Sequence, residues 1–64
     1  MFELTDKKVL VIGLGLSGEA ASRLLLRRKA RVTAIDAADG AELRAVAGKL
    51  EESGATVQLG VTVA

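Results

Sequence analysis

The sequence predicts an α/β fold, a Rossmann-like β-α-β-α-β half in which three parallel strands in spatial order 3-2-1 are joined by two helices. Three observations carry that expectation. Val9-Leu10-Val11-Ile12 is an unbroken apolar run, which suits a strand buried on both faces of a helix-covered parallel sheet. It feeds directly into Gly13-Leu14-Gly15-Leu16-Ser17-Gly18, a G-x-G-x-x-G turn that opens a helical pattern. An acid, Asp36, closes a second apolar stretch 18 residues after Gly18.

Taken in order, Met1 to Asp6 is a lead-in whose Phe2 and Leu4 are expected to pack at one end of the core. Lys7 to Ile12 forms the first strand. The first helix is expected from about Leu16 to Lys29, with Ala20, Ala21, Leu24, Leu25 and Arg28 as the stripe that meets the sheet. Glu19 and Arg23 are spaced for an i,i+4 ion pair. Arg27, Arg28 and Lys29 gather where cations complement the helix dipole, and read either as a solvated helix end or as a phosphate patch. Arg31 to Asp36 forms the second strand. Asp39 followed by Glu42 approximates a capping box for a second helix running to about Ser53. Leu43, Val46, Ala47 and Leu50 form its apolar face, Gly48 weakens it, and Gly54 supplies a left-handed stop. Thr56 to Leu59 alternates like a half-exposed edge strand. The remainder, Gly60 to Ala64, adds no further helix. Right-handed crossovers fix the strand order.

Composition removes whole classes of chemistry. The 64 residues make one small domain, which buries only about 60% of its unfolded surface. With no cysteine and no histidine, the chain has no disulfide, no thiolate metal site and no imidazole base. One phenylalanine is the sole aromatic residue and the net charge is +1, so nucleic acid and acidic membrane are not expected partners. Apolar runs fall short of a membrane span, and the start of the chain does not read as a signal peptide, so a soluble cytoplasmic protein is the expectation. Glu42, Glu51 and Glu52 read as solvated helix acids. No nucleophile–base or paired-carboxylate constellation is visible, and no metal site is expected.

The glycine turn is where the chemistry gathers. Gly13 permits a tight turn off the strand, Gly15 lets a phosphate approach the backbone, and Gly18 lets the helix pack close to the sheet. The helix start then aims free N–H groups and a positive dipole end at an anion, as a diphosphate seat does. The alternative is a purely structural turn. Asp36 stands where ribose hydroxyls are commonly bound, and reads alternatively as a strand-end carboxylate capping a turn. Ser17 reads either as a helix cap or as part of the seat.

From Lys7-Lys8-Val9-Leu10-Val11-Ile12 through Gly13-Leu14-Gly15-Leu16-Ser17-Gly18, then Ala20-Ala21-Ser22-Arg23-Leu24-Leu25 and Ala30 to Asp36, the sequence resembles the N-terminus of a Mur ligase. It is most similar to the D-glutamate-adding branch, in which G-x-G-x-[ST]-G opens the UDP-binding domain. The resemblance implies a ligase of peptidoglycan precursor synthesis that activates the carboxylate of UDP-N-acetylmuramoyl-L-alanine with ATP and Mg2+. It implies that Leu16, Ser17 and Gly18 face the diphosphate, with Gly13 and Gly15 shaping the loop, and that Asp36 and Ala37 lie near the uridine. Ala37 and Ala38 stand where some relatives carry polar or basic side chains, and Lys29 where the family often has a helix-ending glycine. The family's ATP-binding G-x-x-x-x-G-K-[ST] loop, its carbamylated lysine and its C-terminal domain have no counterpart in these 64 residues. The expectation is therefore a truncated domain that binds UDP, carries no cofactor of its own and does not catalyse ligation alone. The runner-up is the NAD-binding half of an oxidoreductase, and a structural fragment without useful affinity is the third reading. With no strand beyond it, Val9 to Ile12 is expected to form an open apolar edge that drives homo-oligomerisation.

Overall fold

A computed structural model describes residues 4–61. The elements run β1 (Lys8–Ile12), α1 (Leu16–Arg27), β2 (Arg31–Asp36), α2 (Ala41–Glu52) and β3 (Thr56–Leu59). The strands are parallel in the order β1-β2-β3, with Lys8 opposite Arg31 and Thr33 opposite Thr56. This is the Rossmann-like half that the sequence implies. The expected role of Phe2 lies outside the described residues, whereas Leu4 packs against the core.

Two right-handed crossovers that step in one direction put both helices on the same sheet face. The core is therefore one layer deep, made by Leu14, Ala30, Val32, Ala34, Leu50 and Ala55. This corrects the expectation that β1 is buried on both faces. Val9 and Val11 pack against the core, but Leu10 is 56% exposed and Ile12 64% exposed. An apolar run marks what a strand can bury, and the topology of the described residues covers only half of it.

The packing stripe of α1 is also rotated from expectation. Ala20, Ala21, Leu24 and Arg28 are exposed, while Ser22 is fully buried and Leu25 and Leu26 pack on the core. The reason is steric. Gly18 and Ser22, one turn apart, are the small residues that allow the helix to settle closest to the sheet, and the Ser22 hydroxyl donates to the Gly18 carbonyl at 2.8 Å. On α2 the expected face is observed, with Ala47 and Leu50 buried and Leu43 and Val46 partly so. Its capping box is not. Gly40 takes the cap position without a side-chain bond, and Asp39 instead holds Arg44 through contacts of 2.9 and 3.1 Å. Glu19 and Arg23 pair as spaced, at 2.7 Å.

Both helices end in the same motif. After α1, the Lys29 N–H donates to the Leu26 carbonyl (2.9 Å) and the Ala30 N–H to the Leu25 carbonyl (3.0 Å). After α2, Gly54 and Ala55 repeat the pattern onto Glu51 and Leu50, each at 3.0 Å. These are Schellman closures, whose penultimate residue must be left-handed. Gly54 meets the requirement at φ 105°, but at α1 it falls on Lys29, at φ 65°. Helix α1 consequently stops at Arg27 rather than Lys29. A non-glycine residue there costs about 1–2 kcal/mol, partly offset because glycine is freer in the unfolded chain. Lys29→Gly should therefore raise the unfolding free energy by about 0.5–1 kcal/mol, and Gly54→Lys should lower it by at least as much. Urea denaturation followed by circular dichroism measures both; equal stability of Lys29→Gly and the parent chain would show that the strain is relieved elsewhere.

Candidate functional site

The site is the turn from β1 into α1, and its three glycines are required for different reasons. Gly13 turns the chain at φ 94°, while its N–H still donates to the Ile35 carbonyl at 2.8 Å and so completes the ladder with β2. Leu14 then points inward and is only 2% exposed, pinning the loop to the core. Gly18 faces back onto the turn, so close that a Cβ there would overlap the Gly13 carbonyl. Gly15 is different. Its φ is −65° with extended ψ, and no protein atom lies within 4 Å of where a side chain would begin. Any residue fits its backbone, so no left-handed requirement operates there.

Gly15 is the N-cap of α1, and its carbonyl accepts the first helical bond from Glu19 at 2.9 Å. The N–H groups of Leu16, Ser17 and Gly18 belong to the first helical turn, where the helix has no carbonyl to offer them. No side chain caps them. Ser17 thus does not cap the helix, which corrects that reading; its side chain is exposed on the first turn, beside Leu16, which is 88% exposed. The opening of α1 is an uncapped, outward-facing row of donors at the positive end of the helix dipole.

Asp36 braces this loop. One carboxylate oxygen accepts the Leu14 N–H at 2.8 Å, and the other accepts the Ala38 N–H at 2.9 Å within its own turn. These bonds, led by the one from Leu14, hold its carboxyl below the ordinary aspartate value of 3.8. The turn-capping reading of Asp36 is realised, and a second role appears that sequence alone did not disclose: it ties the end of β2 to the glycine loop. Ala37 is exposed at the rim of the same turn, and Gly60 closes over it by donating to the Ala38 carbonyl at 3.2 Å. The seven candidate residues Gly13, Gly15, Leu16, Ser17, Gly18, Asp36 and Ala37 are thus gathered at the C-terminal ends of β1 and β2, where open parallel sheets bind ligands. Arg27, Arg28 and Lys29 sit at the far end of α1. A hollow of about 770 Å3 lies elsewhere too: it follows the bare sheet face past Lys8, Leu10, Arg31, Thr33 and Thr56. Two residues that support the loop, Leu14 and Ser22, escaped the sequence reading. The G-x-x-x-S spacing of Gly18 and Ser22 was the available signal.

Curated relatives share this stretch. The chain is 47% identical over 58 residues to UDP-N-acetylmuramoylalanine--D-glutamate ligase of Desulfosudis oleivorans, a match covering 91% of this chain and 13% of that protein. It is 50% identical over 52 residues to the enzyme of the same name from Frankia casuarinae, covering 81% and 11%. The Myxococcus xanthus enzyme gives 49% over 59 residues, covering 92% and 13%. The resemblance to the Mur ligases holds. This chain spans about an eighth of the length of those relatives. No family model matches it. Among solved structures, SirC, precorrin-2 dehydrogenase, superposes with a TM-score of 0.71 at 23% identity, covering all of this chain and 30% of that one, a likeness of fold. No helix among the described residues is long and apolar enough to cross a membrane.

Two outcomes follow for this Mur ligase-like loop. Gly18→Ala should destabilise the fold by about 3 kcal/mol, since the added methyl must displace backbone, whereas Gly15→Ala meets no clash and should cost about 1 kcal/mol, the loss of a favoured N-cap residue. Thermal unfolding by circular dichroism distinguishes the two, and equal melting temperatures would mean that α1 does not bear on the turn. The second outcome concerns acid. Asp36 titrates near 3.8 when unfolded and lower when folded, so the stability it contributes is complete above that range and is lost as pH falls through the folded value. Asp39, held down by Arg44, acts in the same direction. Asp36→Asn should flatten the acid limb of stability as pH falls below 3.8, which pH-dependent urea titrations would read.

Proposed function

We infer that this chain is the N-terminal UDP-binding segment of a UDP-N-acetylmuramoyl-L-alanine:D-glutamate ligase, non-catalytic by itself. One observation carries the reading: the backbone of Gly15, where α1 begins, is left open to close approach. Its φ is ordinary and its surroundings are empty. The fold requires glycine at Gly13 and Gly18; at Gly15 a glycine suits the N-cap and also admits a ligand closer to the backbone than a side chain would permit. The donors that such a ligand would meet are the amides of Leu16, Ser17 and Gly18, so the ligand is an anion, and a diphosphate matches a short row of amides at a helix start. The similarity to the D-glutamate ligases supports UDP as the bearer of that diphosphate.

In this role the chain's own residues bind and orient. Leu14 and Asp36 fix the loop, the helix start receives the diphosphate, and the Asp36–Ala37 turn forms the rim against which the nucleoside lies. ATP, Mg2+ and the ligation chemistry belong to the remainder of a full-length ligase. With one wall of the site only, affinity for UDP should be near millimolar, about −4 kcal/mol. Amide chemical-shift titration with UDP should move Leu16, Ser17 and Gly18 first. Gly15→Val should keep the helical circular dichroism and lose those shifts. Shifts at these amides with NADH but not UDP would favour an oxidoreductase half, and shifts retained in Gly15→Val would place the seat elsewhere.

A further inference from the structure

Asp39-Gly40 is the pair in this chain with the chemistry to rearrange its own main chain. The sequence has three aspartates and no asparagine, and of the aspartates Asp39 alone is followed by glycine. With no Cβ on the following residue, the aspartate's own carboxyl carbon reaches the main-chain nitrogen with least hindrance. The structure leaves that nitrogen available. Gly40 is the N-cap of α2, with φ −80° and ψ 166°, so its N–H precedes the helical ladder and is not spent on it. No main-chain carbonyl among the described residues accepts it, and nothing stands within 4 Å of where a side chain would begin. Asp6 differs on both counts: Lys7 follows it, and the Lys7 N–H donates to the Leu4 carbonyl at 3.0 Å. Asp36 is followed by Ala37 and commits its carboxylate oxygens to the Leu14 and Ala38 N–H groups.

We propose that Asp39-Gly40 is a site of isoaspartate formation and that the Arg44 guanidinium is the restraint on it. The reaction needs no partner but water. The Gly40 nitrogen attacks Cγ of the protonated Asp39 carboxyl, an N–Cγ bond forms, and the carboxyl hydroxyl leaves with the amide proton as water. A second water opens the cyclic imide so made. Cleavage of the new N–Cγ bond restores aspartate. Cleavage of the original bond between the Asp39 carbonyl carbon and the Gly40 nitrogen leaves the chain running through Cβ and Cγ, with the old carbonyl carbon as a free carboxylate. One water leaves and one enters, so the mass is unchanged and no oxidant takes part.

Arg44 opposes the first step in two ways. Its Nε donates to Asp39 Oδ1 at 2.9 Å and its Nη2 to Oδ2 at 3.1 Å, so whichever oxygen is to leave as water must first give up a charge-assisted bond. The same contact holds the carboxyl below its ordinary value of 3.8, and an ionised carboxylate has no hydroxyl to lose. Gly60 backs onto the side chain, since a Cβ added there would lie 3.6 Å from Asp39 Cβ. Rearrangement lengthens the main chain by one methylene at the N-cap of α2, which separates the Asp39 carboxylate from Arg44 and disturbs the turn that Gly60 closes. The reaction is independent of any ligand at the glycine loop.

Incubation at mildly acid pH, tryptic digestion and electron-transfer fragmentation locate a β-linkage. The tryptic peptide 32–44, or 32–49 where Arg44 is replaced, holds Asp36 and Asp39 together. Isoaspartate should accumulate slowly at position 39 and not at 36. Arg44→Gln should raise its rate about three- to fivefold, the weight of an exposed forked ion pair, with the helical circular dichroism retained. In concentrated urea, where the pair does not exist, the two chains should react at one rate. Asp39→Glu, whose carboxyl would have to close a larger ring, should yield none at that position. Val46→Ala weakens α2 without touching the pair and should react as the wild type does. Absence of a β-linkage at 39 in folded Arg44→Gln would overturn the site, as would equal yields at 36 and 39. Equal rates in folded wild type and Arg44→Gln would overturn the restraint. So would a Val46→Ala chain that reacts as fast as Arg44→Gln, since lost stability alone would then explain both.

Discussion

The contact on which this structure depends is the approach of α1 to the turn after β1, where Gly18 meets the Gly13 carbonyl with no room for a methyl group. Everything at the site descends from it. Because the helix starts so close to the strand, its first amides lie within a few residues of the C-terminal end of β1. Because Ser22 sits one turn further along and is wholly buried, the same small-residue line continues the close fit into the body of the helix. A larger residue at either position would lift α1 and swing its N-terminus away from the strand ends.

Asp36 works on the same loop from the other side. Its carboxylate is spent on backbone donors from two segments, Leu14 and Ala38, so it acts as a clasp between the ends of β1 and β2. Each carboxylate oxygen has capacity for a further donor, so the clasp is compatible with a nucleoside hydroxyl or ring N–H at the rim. The site is thereby held by interactions internal to the chain, and the ligand is asked only to fill it.

Much of this was legible in the sequence, and the rest was hidden for definable reasons. Strand and helix identities followed from periodicity and from the glycine turn. Lys29 could be recognised as an awkward residue for a helix stop, and it does adopt the left-handed conformation. Three features were read differently. The stripe of α1 was assigned by hydrophobicity, which favours Ala20, Ala21 and Leu24, whereas the sheet selects the smallest line, Gly18 and Ser22. The cap of α2 was assigned to Asp39 by side-chain chemistry, yet Arg44 engages that carboxylate and Gly40 takes the cap. The burial of β1 was inferred from its apolar run alone, while its coverage depends on which direction successive strands are added.

The central claim is that the amides of Leu16 to Gly18 receive a diphosphate. Amide chemical-shift titrations of the wild-type chain with UDP and, in parallel, with uridine test it most directly, since the two ligands differ only in the diphosphate. The account predicts that UDP moves the Leu16, Ser17 and Gly18 resonances and that uridine leaves them in place at equal concentration. Equal perturbation of those three amides by uridine would contradict it.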